Sequence, residues 1–101
     1  MIVAFSVSPS GGDPDGGVSE AVSRAVKVVR ESGLPNSTSS MFTEIEGDWE
    51  SVMAVVKQAV EAAGEGSPRV GLVLKADIRP GFDSGQLTAK VDRVEAHLRE
   101  D

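Results

Sequence analysis

Between Val18 and Leu98 the apolar residues switch repeatedly between helical and alternating spacing, and that succession restricts the fold more than any single motif. Val18, Val22, Ala25, Val26 and Val29 fall at i, i+4, i+7, i+8 and i+11, one stripe of an amphipathic helix that Gly33 and Pro35 stop. Residues 36–46 lack such a stripe but alternate from Met41, which predicts a hairpin of a short polar strand near 36–40 and a second strand at 41–46. A helix returns after Gly47. Asp48 is a suitable N-cap, and Val52, Val55, Val56, Ala59, Val60 and Ala63 trace the next stripe before Gly64 and Gly66. Residues 69–78 alternate again. Val70, Leu72, Leu74, Ala76 and Ile78 share one side, as in a strand with one deeply buried face, and Pro80-Gly81 closes it. Leu87, Val91, Val94 and Leu98 mark a third helix. At the other end, IVAFSVS over residues 2–8 reads as a first strand, followed by the turn-rich SPSGGDPDGG.

The resulting order, β-α-β-β-α-β-α, contains two β-α-β units joined by a hairpin. It predicts an α+β, ferredoxin-like fold: a four-stranded antiparallel sheet with both crossover helices on one face and an added C-terminal helix. At 101 residues the chain reads as one domain spanning 1–101. The second sheet face is expected to be bare unless the last helix packs at an edge or a second subunit covers it. For so small a domain, self-association is the simpler expectation.

A formal charge of −6 argues against nucleic acid, whose binding depends on Lys and Arg neutralising phosphates. The same charge permits a cationic or neutral small ligand. With no cysteine, a thiolate site or a zinc finger has no residues to build it, and a single histidine argues against a metal site or a nucleophilic triad. No metal and no catalytic residue is therefore assigned. Met1-Ile2-Val3-Ala4-Phe5 lacks the basic start of a secretory signal, and no apolar run approaches the roughly 20 residues of a membrane span, so a cytoplasmic, non-membrane protein is expected.

Several segments have a plain structural explanation. The glycine-rich loop lacks a phosphate-binding pattern and carries Asp13 and Asp15, which favours a surface loop over an anion site. His97 lies beside the apolar stripe of the last helix, as a helix-edge histidine would. Lys75, Asp77 and Arg79 share the strand face opposite Leu72, Leu74 and Ala76, at the open sheet face or its rim. Ion pairing within the sheet, subunit contact and ligand contact all stay open for this trio. In SSMFTEIEGDWESV, Asp48 and Glu50 suit a helix N-terminus. Met41, Thr43 and Ile45 share one side of the preceding strand, and Phe42, Glu44 and Glu46 the other, which two carboxylates make at least partly wet.

Taken in order, the segments VSEAV at Val18 to Val22, ESGL at the end of the first helix, SSMFTEIEG and VLKADIRP resemble the small thiamine-binding proteins of the YkoF-like group over nearly the whole chain. The resemblance implies a ferredoxin-like fold, assembly into dimers and dimers of dimers, and binding of thiamine or its hydroxymethylpyrimidine part without known catalysis. The family pattern of a small hydroxyl residue, Met, Thr and Ile-Glu-Gly maps onto Ser39, Met41, Thr43 and Ile45-Glu46-Gly47. Its Lys-x-Asp-x-Arg end strand resembles Lys75, Asp77 and Arg79. This chain departs from the family in its GGDPDGG insertion and at Phe42.

A thiazolium cation gains from acidic surroundings and from an aromatic face such as Phe42 or Trp49. An aminopyrimidine can be read by hydroxyls and a carboxylate. Ser39, Thr43 and Glu46 are thus the expected polar contacts and Met41 an adaptable apolar wall, with Lys75, Asp77 and Arg79 second. The function expected is non-catalytic binding of thiamine or a precursor as carrier, buffer or sensor, in a homodimer or dimer of dimers. The alternative is a structural or regulatory homo-oligomer without a ligand. An enzyme of the dimeric α+β barrel type is the weaker third reading.

Overall fold

In the computed structural model, described over residues 1–11 and 18–100, the elements follow as β1 (Ile2–Pro9), α1 (Ser19–Glu31), β2 (Asn36–Thr38), β3 (Thr43–Glu46), α2 (Trp49–Ala63), β4 (Val70–Asp77) and α3 (Gln86–Arg99). The glycine-rich loop's central part, residues 12–17, lies outside the described residues. One sheet has the order β2-β3-β1-β4 with every neighbouring pair antiparallel, the expected ferredoxin-like arrangement.

Strand alternation sends Val3, Phe5 and Val7 of β1 and Ile45 of β3 to the face that α1 and α2 cover. Ala21, Ala25 and Val29 of α1 meet the same core as Val52, Val56, Ala59 and Ala63 of α2, and the small side chains let the helices approach closely. Each fully buried Val or Ile in this layer contributes about 1.5–3 kcal/mol. Arg24 ties the two helices at one end: its Nε donates to the carbonyl of Ala62 at 2.8 Å and its Nη2 to that of Ala63 at 3.2 Å, satisfying carbonyls at the end of α2. At the other end of α2, Asp48 is the N-cap. Its Oδ1 accepts from the Ser51 N–H, and its Oδ2 from the Ser51 hydroxyl, each at 2.9 Å.

Three expectations are corrected. The hairpin strands are shorter than their polar and alternating runs, because residues 39–42 form the connecting loop. There the Ser39 N–H donates to the Phe42 carbonyl at 2.9 Å, and the Ser39 hydroxyl bonds both backbone groups of Phe42. β4 has no deeply buried face. As the edge strand it extends past the cover of α1 and α2, so Leu74 is half-buried while Ala76 and Leu72 are exposed, Leu72 by 44%. Finally, the second sheet face, expected to be bare unless α3 packed at an edge or a second subunit covered it, lies beneath the first turns of α3, while no residue of α3 is itself buried.

Candidate functional site

The second sheet face is organised by register. Ile2 of β1 stands between Glu46 of β3 and Asp77 of β4, and Ala4 stands between Glu44 and Lys75. Each row is therefore charged, apolar, charged, with the outer positions about 10 Å apart across two strand spacings. Ile2 and the small Ala4 form a low floor between charged walls. Leu87, Lys90 and Val91 of α3 overhang this floor, enclosing with it a cleft of about 410 Å³. A second hollow of about 520 Å³ lies between the hairpin and α3, bounded by Asn36, Ser37 and Thr88, and shares Glu44, Leu87 and Val91 with the first. Both volumes fall in the usual range of about 300–1,000 Å³ for small-molecule sites.

What holds α3 over the floor is polar. Gly85 precedes the helix with φ 76° and has no side chain to cap it. The carboxylate of Glu46 supplies the cap instead, accepting the Gln86 N–H at 2.9 and 3.2 Å and the Leu87 N–H at 3.4 Å. Glu46 is only 1% exposed as a result. The positive end of the helix dipole faces this charge. One turn on, the Lys90 ammonium pairs with Asp77. That hydrogen bond, with the charge of Lys90 and then those of Arg79 and Lys75, holds the Asp77 carboxyl below the ordinary carboxylate value.

The segment leading into α3 is fixed as well. The Met1 ammonium donates to the Gly47 carbonyl at 2.9 Å, the Phe82 carbonyl at 3.3 Å and Asp83 Oδ1 at 2.7 Å. The Arg79 guanidinium lies 3.6 Å from the centre of the Phe82 ring. Arg79 sits beyond the end of β4 and stacks on its own loop rather than lining the floor.

The predicted contacts thus divide between two faces. Glu46, Lys75 and Asp77 belong to the α3 side. Thr43, paired with Phe5, turns to the opposite face and is buried there. Together with Ser39 and Met41 it borders a hollow of about 190 Å³ near Phe5 and Val22. Met41 is 73% exposed. Glu46 is not the partly wet carboxylate expected from its strand side, because α3 covers it. The sequence alone gives no role to Glu44 and does not single out Ile2, Ala4, Leu87, Lys90 or Val91 as site residues. The period of β1, which aligns Ile2 and Ala4 with the acids of β3, was the available signal. The Glu44 side chain makes no hydrogen bond or ion pair with the described residues, and it borders both hollows. Among the described residues no three His, Cys, Asp or Glu gather as a metal site requires.

The sequence model of the thiamine-binding protein family matches residues 3–95. The chain belongs to the thiamine-binding protein family. Among its relatives in sequence is the UPF0045 protein Mb1933 of Mycobacterium bovis, 54% identical over 99 residues that cover 97% of this chain and 94% of that one. The fold of this thiamine-binding family member is similar to a solved domain of unknown function, DUF77, from Bacillus cereus. That match has a TM-score of 0.70 and 28% identity, over 83% of this chain and 80% of the other. It is also similar in fold to a Thermotoga maritima protein, TM0486, provisionally described as a thiamine biosynthesis or salvage protein. There the TM-score is 0.72 at 24% identity, over 88% and 94% of the two chains.

Proposed function

We propose that the protein binds thiamine or its hydroxymethylpyrimidine precursor, without turning it over, in the cleft between the sheet floor and α3. The observation that carries this reading is the pair of acids, Glu44 and Asp77, flanking an apolar floor beneath a helix in a chain of this family. Thiazolium is a cation whose rings also need apolar walls. Ile2 in the floor and Leu87 and Val91 overhead supply the apolar contacts, and Glu44 supplies a carboxylate with no partner among the described residues. Ser39, Met41 and Thr43 border a separate hollow and stay outside the site in this reading. Glu46 acts at its margin by holding α3 in place. The role in this reading is carriage, buffering or sensing of the vitamin in the cytoplasm.

Self-association belongs to the same reading. Val91, Val94 and Leu98 are exposed by 58, 59 and 61% along one side of α3, and a second copy would cover them. Among the described residues no helix is long and apolar enough to cross a membrane, so that stripe is not a span.

Titration calorimetry with thiamine and with hydroxymethylpyrimidine tests the site. Glu44→Gln, which disturbs no structural contact, is expected to weaken thiamine binding about tenfold at low salt. Absence of saturable heat at millimolar ligand, with the protein shown to be folded, refutes the reading.

A further inference from the structure

We infer that Lys90 is a built-in competitor for the cleft's cation, so that a positively charged ligand must displace its ammonium from Asp77 to occupy the site fully. This inference rests on the proposed cleft and concerns its selectivity. Lys90 and Asp77 border the same cleft, from the roof and from the wall, and their ion pair bridges it. The pair is not needed to fill a buried charge site, since the Lys90 and Asp77 side chains are 52% and 46% exposed. Freed from Asp77, the ammonium can turn to solvent at little desolvation cost.

The neighbouring charges sharpen the point. Lys75, on the same wall as Asp77, is fixed to the sheet and faces Glu44 across Ala4. Lys90 instead rides on α3, no residue of which is buried. Its removal from Asp77 leaves the helix anchored at its start by Glu46, which caps the amides of Gln86 and Leu87. A cation that bonds Asp77 therefore replaces one positive charge with another, whereas a neutral ligand leaves the Lys90–Asp77 pair intact. The cleft so built discriminates by charge: only a cation has to compete with Lys90.

Lys90→Met removes the charge and keeps the apolar stem. Calorimetry on the full chain, with thiamine as the cationic probe and hydroxymethylpyrimidine above the pH of its ring protonation as the neutral one, reads the effect. Thiamine is expected to bind roughly two- to fivefold tighter to the variant, in keeping with the modest worth of an exposed ion pair. The neutral pyrimidine is expected to bind as it does to the wild type. If the wild type binds thiamine and Lys90→Met binds it equally or more weakly, the inference falls while the thiamine reading stands. A parallel gain for both ligands also overturns it, because it reports a wider cleft rather than a lost competitor. Saturable heat with neither protein overturns the thiamine reading and this inference together.

Discussion

Glu46 and Gln86, forty positions apart, are joined by a 2.9 Å hydrogen bond from the Gln86 backbone N–H to the Glu46 carboxylate. A strand residue thereby performs the capping that Gly85 cannot. Glu46→Gln keeps an acceptor oxygen but removes the charge facing the helix's positive end. The expected loss is about 0.5–2 kcal/mol in urea unfolding, with faster amide exchange at Gln86 and Leu87. An unaltered urea midpoint would contradict the capping role. Since this variant also moves the roof of the cleft, a change in its ligand affinity does not by itself make Glu46 a ligand contact.

At the head of α2, the Ser51 backbone N–H, followed by the Ser51 hydroxyl, lowers the Asp48 carboxyl below its ordinary 3.8. A carboxyl whose folded value is depressed stabilises the fold above its unfolded value, and that contribution disappears as pH falls through the folded value. Asp48→Asn should therefore be less stable than the wild type near neutrality. The difference should shrink once the pH drops below about 4, where the unfolded-state carboxyl is already mostly protonated. Paired urea titrations across that range provide the check, and a gap that stays constant in acid refutes the assignment.

Gly64 ends α2 where a Cβ would come within 2.6 Å of Val70 Cγ2 and 3.2 Å of the Val60 carbonyl oxygen. Its φ of −85° is open to any residue, so crowding and not backbone strain forbids a side chain. Gly64→Ala should destabilise by about 1–3 kcal/mol. In the double variant with Val70→Ala the two losses should sum to less than their separate values, because removing the valine methyls relieves the clash. Strict additivity would show that Val70 is not the obstruction.

Acidic substitutions at the exposed apolar positions of α3 test the second copy proposed there. Val94→Asp combined with Leu98→Asp should lower the molecular mass seen in sedimentation while leaving the circular dichroism of the sheet and of α1 and α2 unchanged. A wild-type mass in the double variant removes α3 from any subunit contact.

Element order was readable because each stripe answers to local geometry: Val52 to Ala63 can only line one side of a helix, and Val3, Phe5 and Val7 only one side of a strand. The same local rule fails at β4. Alternation of Val70, Leu72, Leu74 and Ala76 is identical for a central strand and for an edge strand, and only the sheet order decides how much of it is covered. Glu46 illustrates the other limit. Strand parity correctly groups it with Glu44, yet nothing local announces that a helix beginning at Gln86 will close over one of these acids and leave its neighbour exposed. Lys90 does not stand out in the sequence because a lysine flanking an apolar helical stripe has the form of an ordinary solvated residue. Its partner, Asp77, is set by β4 and not by α3.

The outer edge of β4 pairs with no strand among the described residues, and its stretch from Val70 to Leu74 carries no charge to repel one. Natural edges are usually blunted by lysine, proline or a bulge, whereas here Lys75 and Asp77 guard only the far end. Such an edge couples heat resistance to abundance. If another chain adds to it, the melting temperature rises with protein concentration by mass action, and dilution alone weakens the fold.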